Sequence, residues 1–393
     1  TFVIHAQITI RGKVFHNKVP LEGAAVYFNN TMVGTTTDTN GEFSIRVKEG
    51  QYELIVSYLG YKTINYTLST STYIKPLLFV LQEDENVLDE IVLKQITYDD
   101  EWNYNFYKFR REFIGTTKLA DGCKILNPKV LYFEFNARTN TLQAFARKPL
   151  KIKHQSLGYL ITYDLVAFTI QHNMVSYLGY SRYEALKGNK RKLKKWKKSR
   201  LKAYNGSPVH FYKSLLQNNL KKEGYVVNQF RRVPNAERPS ELEIKRARQL
   251  IRLHRKAINF SDKIINPKNA LDSALVTVRK VKLPKYNDYL YKSKLQENEI
   301  IKIDNDTIHL IFNDNLSIIY KKEKEEQRYL KRQFLQPKRL PTYQTSSMIT
   351  IQKPIILDKS GVLLNPLSIY YEGYWSFEKF ANSLPLDYSP KTN

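Results

Sequence analysis

The first eighty residues alternate apolar and polar side chains in short runs, each closed by turn residues after about 8–12 positions. That rhythm admits little besides a two-layer β-sandwich. A side-chain period of two puts one face of every strand against a core and leaves the other in water. Ile8–Val14 reads as a strand with Gly12 inside it, and Ala24–Phe28 and Thr35–Asp38 as the next two. Asp38-Thr39-Asn40-Gly41 is a tight turn, because Asn-Gly supplies the positive φ that a hairpin needs. Glu42–Val47, Gln51–Tyr58 and Tyr61–Leu68 complete the set. Residues 1–7, TFVIHAQ, admit two readings: the end of a secretory signal, with Ala6 before Gln7, or a first strand from Val3 to Ile10.

ITIRGKV, PLEGAAVYF, VGTTTDTNGEFSI and YELIVSYLGYKT stand in that order within residues 8–82. Together they resemble the carboxypeptidase-D regulatory-like domain, a seven-stranded transthyretin-like sandwich, with Gly12, Gly23, Gly34, Gly41 and Gly60 fitting its glycine positions. The resemblance implies an address, since such domains are common at the N-termini of Bacteroidota envelope proteins. Residues 83–101 are acidic and polar and read as a linker. Within it, ENVLDEIVL resembles the segment that follows this sandwich in TonB-dependent receptors, where it can serve as the TonB box. Those receptors continue into a plug and a barrel longer than the remaining chain, so a last strand packing on the second domain is the plainer reading.

Residues 102–393 read as one larger α+β domain. Glu101–Phe113 has its aromatics at helical spacing and stops near Gly115. Strands are expected at Val130–Phe135, Leu142–Ala146, Leu150–His154 and Tyr159–Ile170, with a turn at Thr139-Asn140-Thr141. From about 183 to 258 the pattern turns helical, broken at NGSP (205–208) and VPNAERP (233–239). Ser240 with Glu243 forms a capping box for a helix running toward Ala257. Ile300–Ile303, Ile308–Phe312 and Ser317–Tyr320 are expected as hairpin strands around Asp304-Asn305-Asp306 and Asn313-Asp314-Asn315. EFIGTTKLADGCKILNP, YLGYSRYEALKGNKRK, GSPVHFYKSLLQNNLKKEGYVV and YYEGYWSFEKFANSLPLDYSP resemble the C-terminal part of a group of Bacteroidota proteins that pair this region with the same sandwich. The resemblance implies the cell envelope and carries no activity over.

The sequence carries no recognisable catalytic constellation. A zinc carboxypeptidase needs His-x-x-Glu, and none of the seven histidines has a glutamate three residues later. The phosphate-cradling Gly-x-Gly-x-x-Gly and Gly-Lys-Ser/Thr patterns are missing from the sequence, as is Gly-x-Ser-x-Gly. Asp99-Asp100 and Asp304-Asn305-Asp306 sit in linker and hairpin contexts, the latter without the glycine and distal glutamate of a calcium loop. Cys123 stands alone, so no intrachain disulfide can form, and it reads as a buried thiol. No lipobox cysteine is present, and no stretch approaches the ~18 apolar residues of a spanning helix, so a soluble or peripheral chain is expected. No enzyme, cofactor or metal is expected.

Charge is the remaining signal. The formal net charge is +26, and it is uneven. Residues 1–82 carry seven basic and five acidic groups, whereas residues 181–256 carry 23 basic and five acidic. KRKLKKWKK, residues 190–198, is the densest run. On a helix, Leu186, Leu193, Trp196, Leu201 and Tyr204 fall on one arc that could dock on the body. The basic docking face is assigned to Lys190, Arg191, Lys192, Lys194, Lys195, Trp196, Lys197, Lys198 and Arg200, with Arg246, Arg248, Arg252 and Arg255 on a second helix. That second helix carries Leu242, Ile244, Leu250, Leu253 and Ile258 as its apolar residues.

Such a face suits an anionic partner. Nucleic acid would use the charge, but the sequence has no recognisable motif for it and the envelope address conflicts with it. A merely solvated lysine face is the plainer alternative. The expectation is a non-catalytic periplasmic docking or scaffold subunit associated with an outer-membrane β-barrel protein or complex. Its basic helices would meet an acidic protein face, anionic lipid or lipopolysaccharide phosphate. The alternative is a periplasmic cell-wall glycan-binding protein, whose tyrosines should gather in a groove.

Overall fold

The computed structural model describes residues 7–84, 96–171, 174–255, 266–304, 307–332, 339–359 and 361–390. The two readings of residues 1–7 therefore fall almost wholly outside the described residues, and the TonB-box-like ENVLDEIVL does so entirely.

The N-terminal sandwich is built from β1 (Gln7–His16), β2 (Val19–Pro20), β3 (Ala25–Phe28), β4 (Gly34–Thr36), β5 (Glu42–Lys48), β6 (Gln51–Ser57), β7 (Ile64–Ser69) and β8 (Leu77–Val80). One sheet runs β2-β1-β5 with β8 parallel to β1, and the other runs β4-β3-β6-β7. β5 shows the sandwich logic most cleanly: Phe43, Ile45 and Val47 are buried while their neighbours are exposed. They meet Ile10, Val14, Val26, Phe28, Leu54 and Val56 from both sheets. The Asp38–Gly41 turn is held by the Asp38 carboxylate, which accepts from Asn40 N (2.9 Å) and Glu42 N (2.8 Å). At Gly12, β1 is closely flanked by its two neighbours in the same sheet, β5 and β8. A Cβ there would lie 2.4 Å from Leu77 O and 2.6 Å from the Phe43 ring, so β8 can pair with β1 only past a glycine. β8 escapes the sequence reading because LLFV alternates only partly.

After residues 85–95 the chain enters α1 (Asp100–Phe113), started by Asp99, whose side chain accepts from Trp102 N. Its Phe109 and Phe113, a helical turn apart, are fully buried on a six-stranded sheet. That sheet comprises β9 (Cys123–Ile125), β10 (Leu131–Asn136), β11 (Thr141–Ala146), β12 (Leu150–His154), β13 (Tyr159–Gln171) and β14 (Met174–Ala185). β14 pairs along the whole of β13. Strand therefore continues to residue 185, and the basic helical region opens later than the sequence reading placed it.

Helices α2 (Lys190–Tyr204), α3 (Pro208–Leu216) and α4 (Leu220–Glu223) follow. The chain then forms β15 (Tyr225–Pro234), a central strand, where the sequence reading expected helix. Val226, Val227, Phe230 and Val233 favour an extended, half-buried backbone, and the flanking basic residues mask that signal. A helix pair, α5 (Glu241–Leu253) and α6 (Ala270–Lys280), is inserted before β16 (Tyr286–Lys292), which returns beside β15 so that Pro234 faces Tyr286. β17 (Ile301–Asp304) and β18 (Thr307–Leu310) form the expected hairpin, although residues 305–306 of its turn lie outside the described residues.

The second expected hairpin does not form. β19 (Asn315–Lys324) leaves β18 and joins β15 instead. Helix α7 (Gln327–Arg332), β20 (Tyr343–Thr350), β21 (Ile355–Leu357), β22 (Ile369–Gly373) and α8 (Tyr374–Glu378) complete the chain. The resulting sheets run β16-β15-β19-β20-β22 and β17-β18-β21, around a core that includes Phe211, Tyr225, Leu316, Met348 and Trp375.

The C-terminal segment returns across the molecule. Phe380 and Ala381 enter the core of the six-stranded sheet, where Ala381 N donates to Ile114 O (3.0 Å) and Ala381 O pairs with the buried His154 ring (2.8 Å). Leu386 N then donates to Asn30 O in the sandwich (2.7 Å).

Candidate docking surfaces

α2 is started by Asn189, whose side chain accepts from Lys192 N at 3.0 Å, and it contains no β-branched residue to slow helix formation. It ends at Asn205-Gly206-Ser207-Pro208, where Ser207 already caps α3. One narrow face holds it to the body. Trp196 is 7% exposed, and its indole N–H donates to Gln155 O at 2.8 Å. The indole lies against Gly158 and Gly188. At Gly158 (φ +74°) a Cβ would come within 2.2 Å of the ring, so this turn between β12 and β13 can cradle the indole only as glycine. One turn on, Arg200 donates to Leu157 O (2.8 Å) and Gly158 O (3.3 Å), with its guanidinium 4.1 Å from the Tyr159 ring centroid. Ala203 completes this face.

Two residues assigned to the docking face are therefore anchors. Trp196 and Arg200 have their polar groups committed to the β12–β13 turn and do not present them to a partner. The apolar arc also differs from the expectation: Leu193 and Leu201 are exposed, and Leu186 lies before the helix. Docking needs only Trp196, Arg200 and Ala203, spaced i, i+4, i+7, so the leucines beside them were not required. The other seven cations, Lys190, Arg191, Lys192, Lys194, Lys195, Lys197 and Lys198, are all exposed. None of them has an ion-pair partner among the described residues. Lys202, next to the anchor face, pairs with Glu326 at 3.4 Å.

The end of the helix at which this charge sits is informative. A helix N-terminus carries partial positive charge and favours acids in its first turn. α2 has no acid there; its first three residues are Lys190, Arg191 and Lys192. α5 follows the ordinary pattern. Its capping box is formed, with Glu243 N donating to Ser240 Oγ (3.3 Å) and Ser240 N to the Glu243 carboxylate (2.7 Å). The Ser240 hydroxyl donating to that carboxylate (2.7 Å), and then the Ser240 N–H, hold the Glu243 carboxyl below its usual range.

On α5, Arg246, Arg248, Arg252 and Arg255 are exposed and unpaired among the described residues. Ile244 and Ala247 form its buried face toward α6, whereas Leu242 and Leu253 are exposed and Ile258 lies outside the described residues. α2 sits on the β12–β13 turn and α5 beyond the β15–β16 hairpin. No hydrogen bond or ion pair of the described residues joins them. The structure presents two basic surfaces, each on its own support.

The sandwich is fixed to the larger body through the β3–β4 turn, a junction the sequence reading did not identify. Asn30 N donates to Ser181 O (2.8 Å), Tyr183 N to Thr31 O (2.9 Å) and Ser181 N to the Asn29 side chain (2.9 Å). Thr31 bridges Arg182 in parallel register, so the turn adds to the free side of β14. Thr63 donates to the half-buried Asp164 carboxylate at 3.1 Å. The paired asparagines at the end of β3 were the available signal, since asparagine suits a turn with φ near +56° as at Asn30.

Cys123 is buried, and burial pushes its thiol up to about 12. Among the described residues no group of three His, Cys, Asp or Glu is placed to hold a metal ion, and no helix is long and apolar enough to cross a membrane.

Residues 10–93 match the family model of the CarboxypepD_reg-like domain. TonB-dependent receptor P26 of Formosa agariphila is 38% identical over 90 residues, which is 23% of this chain and 8% of the receptor. TonB-dependent receptor SusC of Bacteroides thetaiotaomicron is 32% identical over 88 residues, 22% of this chain and 8% of the receptor. The similarity lies in the N-terminal region, so this chain spans a small part of the length of these relatives. The chain thus carries an N-terminal CarboxypepD_reg-like domain of sandwich type, followed by a larger α+β region.

Proposed function

We propose that this chain is a non-catalytic docking or scaffold subunit, held on the periplasmic side of an outer-membrane β-barrel complex that works in import, secretion or barrel insertion. The observation that carries the reading is α2: seven exposed cations within nine residues, unpaired among the described residues, on a helix pinned by Trp196 and Arg200. A solvated face needs only scattered charge. Three cations in the first turn oppose the helix's own dipole, and an anionic partner would offset that opposition. The likeness of the sandwich to TonB-dependent receptors supports an outer-membrane setting. The partner is an acidic face of the barrel complex or the phosphates around it.

Each Lys or Arg near an anionic surface contributes about 1 kcal/mol, and screening sets in over about 8 Å at physiological salt. Reversing Lys194, Lys195 and Lys198 to glutamate should therefore weaken binding to isolated outer membranes by at least about 100-fold. The thermal unfolding midpoint should stay unchanged. Cosedimentation at two salt concentrations measures this, and undiminished binding by the triple variant would overturn the role given to α2.

A further inference from the structure

A cavity of about 390 Å³ lies where the sandwich, both large sheets and the C-terminal segment meet. Its walls come from β13 and β14, the end of α2, the start of α3, α8 and residues 380–388. Six tyrosines line it: Tyr163, Tyr177, Tyr183, Tyr204, Tyr371 and Tyr388. Tyr371 is bonded to Tyr212 (2.7 Å) and Tyr183 to the Ser181 side chain, whereas the hydroxyls of Tyr163, Tyr177, Tyr204 and Tyr388 have no hydrogen-bond partner among the described residues. Tyr163 and Tyr388 are each only 4% exposed. None of these four hydroxyls is a fully enclosed unpaired atom, and Tyr177 and Tyr204 are half-buried, so each reaches open space where water or a ligand can bond it. Four such hydroxyls around one cavity offer a set of hydrogen-bonding groups to a bound molecule.

Two further groups define the chemistry. Trp375 lines the cavity with its indole N–H already donated to Gly206 O (2.6 Å), which leaves its carbon surface for contact. Glu378 is 7% exposed, and among the described residues its only hydrogen bond is from Asn382 Nδ2 to Oε1 (3.1 Å). Burial first, then the neighbouring Glu323 carboxylate, push its carboxyl up to about 8, so at neutral pH it is an acid that can donate. Lys379 in the same wall faces Glu112 at 3.6 Å, so its charge is answered by the protein. The lining is aromatic, rich in hydroxyls and close to neutral, which disfavours a charged ligand of either sign. A compact ring with C–H faces and several hydroxyls is its complement.

We propose that this cavity binds a neutral mono- or disaccharide, its ring face against Trp375 and its hydroxyls on the free phenols, Asn382 and Glu378. This assignment does not rest on the docking reading, and either can fail alone.

The full chain is titrated with glucose, N-acetylglucosamine, maltose and cellobiose at millimolar concentrations, with butylamine and acetate as charged controls. Tryptophan fluorescence reads the cavity, because Trp375 lines it and Trp102 and Trp196 do not. A saturable change with at least one saccharide is expected. The Tyr163→Phe/Tyr204→Phe variant, which loses two unpaired hydroxyls, should bind about tenfold more weakly at unchanged or higher thermal stability. Three results would overturn the proposal: no saturable response to any saccharide, undiminished binding by that variant, or a response to the charged probes alone. A Tyr204→Phe/Tyr388→Phe variant keeps the test available if the first does not fold.

Discussion

Trp196 shows how one residue can be half read from sequence. A tryptophan among seven cations invites assignment to the binding face, yet its indole is seated on Gly158 and bonded to Gln155 O. The sequence pattern marked it as apolar and on the docking arc; the partner that claims it is a turn thirty-eight residues earlier, which no local pattern reveals. Replacing Trp196 with alanine should destabilise the fold by about 3 kcal/mol or more, as for a large buried side chain, whereas Lys195→Ala should change stability by under about 0.5 kcal/mol. Urea unfolding of the two variants separates anchor from display.

His154 makes a second residue-scale case. Its Nδ1 accepts from Leu157 N (3.3 Å), so Nε2 carries the proton given to Ala381 O (2.8 Å). Burial lowers its pKa from 6.5 to about 4. Between those values the unfolded chain takes up a proton that the folded ring refuses, so stability falls as acid is added through that window. His210 is lowered to about 4 in the same direction, and Glu378, raised from 4.5 to about 8, acts oppositely by gaining stability as pH falls from 8 toward 4.5. His154→Gln keeps an N–H donor and removes one titration. Its unfolding free energy should change between pH 7 and pH 5 with the histidine's loss of about 2 kcal/mol removed, measured against the parent protein in urea titrations at both values.

At the scale of elements, strands with strict alternation were legible and strands buried on both faces or interrupted by charge were not. β5 and β11–β13 were read from their pattern within a residue or two. β15 was taken for helix because Arg231 and Arg232 follow its apolar stretch; Arg232 reaches Asp288 across the strand pair and Glu372 on β22, while Arg231 pairs with Asp314 (3.5 Å). Ser240 and Glu243 announced α5 correctly, because a capping box is a local device.

α2 carries the element-scale prediction. If its first-turn cations exist for a partner, then Lys190→Glu and Arg191→Glu should act with opposite signs on the two observables. The acids should complement the helix dipole and raise stability by about 0.5 kcal/mol, while binding to outer membranes weakens about tenfold or more. A solvated face with no partner would show the stability gain alone.

At the scale of the molecule, the sandwich is not an independent bead. Asn29, Asn30 and Thr31 extend the free side of β14, and the C-terminal segment closes the junction through Leu386 N on Asn30 O and Asp387 on Met32 N. Contacts between residues 30 and 386 belong to no local pattern, so neither the junction nor the cavity beside it could be read from the sequence. The fold class could be, because the sandwich motifs stand in order within the first 82 residues and the later segments alternate strand-like and helix-like patterns. The fixed junction sets the sandwich at a defined position relative to α2, the arrangement a scaffold requires.

Co-purification of the tagged chain from gently solubilised cell envelopes tests that account most directly. Stoichiometric recovery of an outer-membrane β-barrel protein, lost when Lys194, Lys195 and Lys198 are reversed to glutamate, is the predicted result. Recovery of the chain alone from the soluble fraction would contradict it.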